Sequence, residues 1–273
     1  MEFERIVDKV SSPFAQVREK YEAVYVIVSP PRCSSTAFAR VFWEQPSVHH
    51  YSHEPFEVTY YRGERLRRVV EKLKNPLDLR LINGRPVDEP ARALVIKEMP
   101  YQVGRHFPIL TTLATGPLVF LIRDPRQNIA SRMEKKVEGG ASPFYPQVES
   151  GWDLIAAQIR WCRDRAVPYL IVDATDFRNV PERIFPQVFD HFGLSFSPEM
   201  LTWTPYTEVD LDNLEGAHRH LYQRVLESRG LEPATEPIPP LGSFPTENGF
   251  REHVAHCMAV YAALKDDEAR IRP

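Results

Sequence analysis

The sequence predicts an α/β domain built around a parallel sheet of roughly five strands. Two observations carry this. Five short apolar runs recur along the 273 residues, with helical patterns between them. Three of the runs are nearly continuous in Val, Ile and Leu, as strands covered on both faces require. Strand and helix in alternation imply right-handed crossovers and helices packed on the sheet. With 43% hydrophobic and 26% charged residues the chain can bury one sizeable core, so a single domain over 1–273 is expected.

The elements follow in order. The opening residues, 1–24, are amphipathic and charged. The run VYVIVS (24–29) is the first strand, and TAFARVFWEQ after it is helical. SVHHYS (47–52) reads as the second strand. A helical insertion near 60–90 contains GERLRRVVEKLK; residues 60–80 hold seven basic side chains against three acids, either a solvated helix face or a wall suited to an anionic acceptor. ALVIKE (93–98) and PLVFLIR (117–123) are the next strands, followed by the helical RQNIASRMEKKV and GWDLIAAQIRWCRDR. YLIVDA (169–174) completes the sheet and leads into PERIFPQVFDHFG. The proline-rich stretch 231–250 reads as a covering loop ahead of a last helix, REHVAHCMAVYAALKDD.

Composition narrows the function. A net charge of −3 gives no global pull toward nucleic acid or anionic membrane, so neither is expected as a partner. Cys33, Cys162 and Cys257 are odd in number and scattered, without metal-ligand spacing, which points to a reducing compartment and no metal. No stretch approaches about 18 uncharged apolar residues, and the N-terminus lacks an apolar leader core. A cytoplasmic protein, monomer or homodimer, is expected.

Two turns look built for anions. In SPPRCSST a buried strand feeds a tight turn and a helix, so free backbone N–H groups and the helix dipole favour negative charge there. Ser34, Ser35 and Thr36 add hydroxyls and Arg32 adds a forked cation. The alternative is a capped turn with serine as N-cap. It is not a Walker A loop, because G-x-x-x-x-G-K-[ST] is absent. RDPRQNIAS repeats the design: Arg123 leaves a strand end and Ser131 stands two turns into the next helix. Both could reach one phosphate at the sheet edge where open α/β folds bind ligands. The alternative for Arg123 is pairing with Asp124 or another helix acid.

The first turn resembles the 5′-phosphosulfate loop, and RDPRQNIAS the 3′-phosphate motif, of sulfotransferases that use 3′-phosphoadenosine 5′-phosphosulfate. The likeness extends to HEPF, to VIKEMP and to YLIVDATDFRNVPERIFPQVFDHFGLSFSPEML, in the family's order, over roughly residues 24–203. It implies a three-layer, P-loop NTPase-like sulfotransferase fold. It further implies 5′-phosphate ligands at Arg32, Ser34, Ser35 and Thr36 and the Cys33 backbone, 3′-phosphate ligands at Arg123 and Ser131, and adenosine 3′,5′-bisphosphate as product. Two departures stand out: the loop has no glycine, and no C-terminal G-x-x-G-x-x-K segment occurs. Adenine contacts in 231–255 are therefore unassigned, with Arg251 the one candidate.

Sulfuryl transfer through a loose transition state needs a cation at the departing phosphate and a base at the acceptor. Arg32 and Lys97 are the candidate cations. Several enzymes of the family place a histidine two residues after such a lysine, where this chain has Met99. Other branches use a glutamate beyond the first helix, which makes Glu54 the first choice of base, with His53 and Glu98 behind it. The alternative for Glu54 is an edge acid, solvated or paired with Arg62 or Arg65. His49, His50 and His53 lack a metal-binding pattern. Tyr51, Phe56, Tyr60, Tyr61, Phe144 and Tyr145 either line a small-molecule acceptor pocket or fill the core; Trp152 reads as core. The expected reaction moves a sulfuryl group to a hydroxyl or amine. An ATP-dependent phosphotransferase and a non-catalytic nucleotide binder are the alternatives.

Overall fold

The five apolar runs are strands. In the computed structural model they span Ala23–Val28 (β1), Val48–His53 (β2), Ala93–Glu98 (β4), Leu118–Ile122 (β5) and Tyr169–Asp173 (β6). A sixth strand, Leu77–Asp78 (β3), is two residues long and was not legible in the sequence. The sheet order is β3-β2-β4-β1-β5-β6. Neighbours from β2 to β6 run parallel, and β3 alone is antiparallel, pairing Asp78 with His50 and Leu77 with Tyr51. The expected five-stranded parallel sheet is therefore present, with one short edge strand added. Residues 3, 11–87, 92–206, 208, 209, 211, 214 and 222–273 are described. Most of the opening amphipathic stretch (1, 2 and 4–10) and the end of the 60–90 insertion (88–90) lie outside the described residues.

Helices fill the connections. Ser11–Glu19 (α1) precedes β1, and Ser35–Trp43 (α2) joins β1 to β2. The insertion folds as Glu57–Arg62 (α3), Leu66–Lys74 (α4), β3 and Leu79–Ile82 (α5). Pro100–Val103 (α6) and Phe107–Leu113 (α7) follow β4; Pro125–Glu138 (α8) and Trp152–Asp164 (α9) follow β5. After β6 come Ala174–Asn179 (α10), Pro181–Asp190 (α11), Gln223–Glu227 (α12) and Phe250–Lys265 (α13).

The strands are apolar throughout because both faces are covered. Successive side chains point to opposite faces: Val24, Val26 and Val28 join the core beneath α1, α4, α7, α9 and α13. Tyr25 and Ile27 join the second core, beneath α2, α10, α11 and α12. Trp152 is fully buried, as its core reading requires. In the second core Phe38 of α2 stacks on Phe185 and meets Phe177 edge-on, both with ring centroids 5.1 Å away. Phe38→Ala is expected to lower stability by about 3–5 kcal/mol, because the ring's transfer energy is lost and the rigid walls cannot close the hole. A urea midpoint that falls at unchanged m-value checks it; a loss below about 1 kcal/mol would mean the walls collapse freely.

Parallel pairing has one functional consequence. The turns after β1, β2, β4, β5 and β6 all leave the sheet at the same edge, where the strand order reverses around β1.

Candidate functional site

The first anion turn keeps its glycine-like shape without glycine. Arg32 and Ser34 both adopt left-handed backbone, φ 63° and 56°, a conformation that costs an ordinary residue about 1–3 kcal/mol and clusters at functional sites. Ser34 precedes α2, but its hydroxyl caps no amide of the helix. The capped-turn reading is thus not what the hydroxyl does. Cys33 is fully buried, its thiol pushed up to about 12 by burial and turned toward Pro31 and Asn128, so its side chain does not reach the turn's open side.

The second turn braces the first. Asn128 of α8 donates to the Pro31 carbonyl (3.1 Å), Arg123 Nη1 to the Arg32 carbonyl (3.2 Å), and Arg32 Nε to Ser131 Oγ (3.2 Å). Asp124 does not pair with Arg123. It caps α8 through the Arg126 amide and binds the Arg126 guanidinium at 2.7 Å. Arg123 instead meets Glu236 at 3.1 Å, and Arg178 of α10 meets the same carboxylate at 3.0 Å. Burial and the neighbouring Arg123 charge push the Arg32 guanidinium below its ordinary range, a field that an incoming anion would relieve. Arg178 escaped the sequence reading: it stands in the last turn of α10, five residues beyond the end of β6, with no strand-turn-helix pattern to mark it.

Lys97 of β4 and Glu54, just past β2, are brought together because β2 and β4 are neighbours with His53 opposite Lys97. The Lys97 ammonium donates to Glu54 Oε1, and both side chains are about 1% exposed. Gln102 Nε2 donates to Glu54 Oε2 at 2.8 Å, and His53 Nε2 lies 3.2 Å from Oε1. Tyr51 hydroxyl sits 2.6 Å from His53 Nδ1. Burial alone would raise the Glu54 carboxyl, but Lys97 and then His53 outweigh it and hold the group well below the usual carboxylate range. Glu54 also has positive φ, 44°. The alternative pairing with Arg62 or Arg65 gives way to Lys97.

Glu98 has a different environment. Its two carboxylate oxygens accept from the Phe56 and Met99 amides at 2.8 and 2.7 Å, and it lies outside the cleft wall. Burial and then the Glu54 charge push its carboxyl up. Glu98 therefore clamps the turns that carry Glu54 and Met99.

One cleft of about 890 Å³ joins both turns to the Lys97–Glu54 pair. Arg32, Ser34, Ser35, Thr36, Arg123 and Ser131 occupy its wall together with Glu54 and Lys97. His53 and Cys33 stand behind it. Of the aromatic residues expected around an acceptor, Tyr61, Phe144 and Tyr145 line the cleft, whereas Tyr51 and Phe56 are buried in the core. Tyr60 hydrogen-bonds Glu149. Tyr101, Arg132 and Tyr222 join the wall without having been singled out by sequence. Arg251 is bound to the carbonyls of Phe244 and Gly242 and lies outside the cleft.

Among the described residues no group of three His, Cys, Asp or Glu side chains could hold a metal ion. His49 bonds the Pro46 carbonyl and the Arg92 amide, and His50 lies 3.6 Å from Asp78. No described helix is long and apolar enough to cross a membrane.

Known proteins share this arrangement of strands and turns. The family model of the sulfotransferase domain matches residues 24–268; no curated protein matches the chain. Among solved structures, the sulfotransferase domain from the curacin biosynthetic pathway is 16% identical, covering 88% of this chain and 98% of its own, with TM-score 0.51. The sulfotransferase domain from the Synechococcus PCC 7002 olefin synthase is also 16% identical, over 89% and 95%, with TM-score 0.50. Mouse sulfotransferase SULT7A1, solved in complex with PAP, is 11% identical over 94% of each chain, with TM-score 0.50. Identities this low speak for the fold, and the family match runs from the first residues of β1 through the end of α13. On that match the chain belongs to the sulfotransferase domain family.

Proposed function

We propose that this chain transfers a sulfuryl group from 3′-phosphoadenosine 5′-phosphosulfate to a hydroxyl or amine of a small-molecule acceptor. The observation that carries the reading is the convergence of two strand-to-helix anion turns, bearing Arg32 and Arg123, on the cleft that also contains Glu54 and Lys97. The residues suit such a donor, because Arg123 and Arg178 already share a carboxylate between them. Bound there, the donor would supply an activated sulfuryl group and a phosphate leaving group.

The chain's own contributions divide by position. The amides from Cys33 to Thr36 and the Ser35 and Thr36 hydroxyls hold the 5′-phosphate side, and Arg32 neutralises charge that grows on the departing bridging oxygen. Arg123 and Ser131 hold the 3′-phosphate. Glu54 takes the acceptor's proton. Lys97 keeps Glu54 ionised and oriented in the absence of ligand; if Lys97 turns toward the sulfuryl oxygens, Glu54 loses its strongest stabilising charge and becomes a better proton acceptor. The wall of Tyr61, Phe144 and Tyr145 suits an acceptor with an apolar or aromatic body.

Adenosine 3′,5′-bisphosphate is expected to raise the melting temperature, since a ligand of the native state stabilises it by mass action. Arg123→Ala should cost about 1.5–3 kcal/mol of that binding, the worth of a charge-assisted hydrogen bond, and leave AMP affinity nearly unchanged. Transfer from labelled donor to acceptors in a cell extract, without added Mg²⁺, tests the activity itself. Labelling that requires ATP and Mg²⁺ would instead favour a phosphotransferase. Tight bisphosphate binding with no transfer to any acceptor would favour a nucleotide binder.

A further inference from the structure

The proline-rich stretch after α12 does more than cover the cleft. It carries Glu236 onto two buried arginines, Arg123 just past β5 and Arg178 in the last turn of α10. Glu236 Oε2 accepts from Arg123 Nη2 (3.1 Å) and Arg178 Nη1 (3.0 Å), and Oε1 accepts from Arg178 Nη2 (3.1 Å). The main chain around it is tied to the same groups. Gln127 Nε2 donates to the Glu236 carbonyl at 2.6 Å, and Arg178 donates to the carbonyls of Glu232 and Pro233 at 2.9 and 2.7 Å. The two arginine side chains are 7% exposed, whereas Glu236 is 39% exposed, at the mouth of the cleft.

The local charges do not balance. Among the described residues two guanidinium groups face a single carboxylate; Asp124, Asp176 and Glu232 are each paired with another arginine, Arg126, Arg270 and Arg224, and Asp173 is held by the Thr175 amide and the Tyr261 hydroxyl. A phosphate monoester carries a charge of about −1.5 to −2 at pH 7 and three acceptor oxygens, so it matches the pair better than a carboxylate does. Guanidinium forks are also the side chains best shaped for such an anion.

We propose that Arg178 joins Arg123 as a ligand of the donor's 3′-phosphate, and that Glu236 is an internal anion which fills this site until the nucleotide displaces it. This rests on the donor reading above. It makes Arg178 a specificity residue for nucleotides that bear a 3′-phosphate. It also couples donor binding to release of the 231–240 stretch from its anchors, since phosphate and Glu236 compete for the same N–H groups.

The test compares affinities of adenosine 3′,5′-bisphosphate and AMP by calorimetry. Removing a competitor raises the fraction of competent sites, so Glu236→Ala should tighten bisphosphate binding about tenfold and leave AMP unchanged. In that background Arg178→Ala should weaken the bisphosphate about 10–100-fold, again without effect on AMP. Should the alanine variant fail to fold, Arg178→Gln serves the same comparison. The inference fails if Glu236→Ala weakens bisphosphate binding, if it moves both nucleotides alike, or if loss of Arg178 changes neither. Each of those results leaves the donor reading intact as long as the wild-type protein binds the bisphosphate more tightly than AMP; wild-type protein that binds neither nucleotide overturns both.

Discussion

Glu54→Gln is expected to lower kcat by about 10²–10⁴-fold, the usual contribution of a general base, with donor affinity hardly changed. Glutamine keeps the size; its one carbonyl oxygen can still accept from Lys97, and its amide can donate to Gln102 once that side chain flips to present its unpartnered Oε1, so the substitution removes basicity more than shape. It also leaves a buried ammonium facing a neutral amide, and a melting curve reads that cost separately; breaking a buried pair costs at most about 3–5 kcal/mol. The catalytic loss should shrink for acceptors that ionise readily. A phenol, with pKa about 10, needs the base less than an alkyl alcohol does. The pH profile gives an independent check. Glu54 acts as the carboxylate, so activity is lost as pH falls through its folded value. Lys97 and His53 hold that value below 4.5 despite burial. The acid limb of kcat/KM, which reports the free enzyme, should therefore lie below 4.5. Burial holds the His53 imidazole below 6.5. An acid limb that disappears in His53→Gln would transfer the role of base to His53.

Arg32→Ala should lower kcat by about 10²–10³-fold, the loss found when one donor to a developing oxyanion is removed. Arg32 lines the cleft from the turn after β1, with its backbone in the left-handed region. An interaction that strengthens only as charge develops acts on kcat more than on ground-state affinity. Arg32→Lys should recover part of the rate, because it restores the charge without the fork. Unchanged turnover in Arg32→Ala, measured with an acceptor on which the wild type is active, would make Arg32 a brace for Ser131 and nothing more.

Much of the molecule was legible because it is local. The runs at 24–29, 93–98 and 117–123 could only be strands covered on both faces, and each is found within a residue of its expected bounds. Arg32, Ser34 and Arg123 drew attention because a strand, a tight turn and a helix stand consecutively in the chain. The misses were non-local. β3 is two residues whose pairing depends on β2, more than twenty positions earlier. The Lys97–Glu54 pair depends on β4 inserting beside β2, which no local pattern announces. Glu98 also depends on distant packing: one of its oxygens accepts from the Phe56 amide, 42 positions earlier, and the other from Met99.

The α/β class, the parallel strands and the two strand-turn-helix segments were readable along the chain, because apolar periodicity and element order act over a few residues. Which charges meet depends on how distant segments pack. Strand order set Lys97 against Glu54, and the path of the 231–240 stretch set Glu236 on Arg123 and Arg178. Those pairings join segments far apart in the chain, and their strength comes from burial, which lowers the local dielectric and makes every unmatched charge costly.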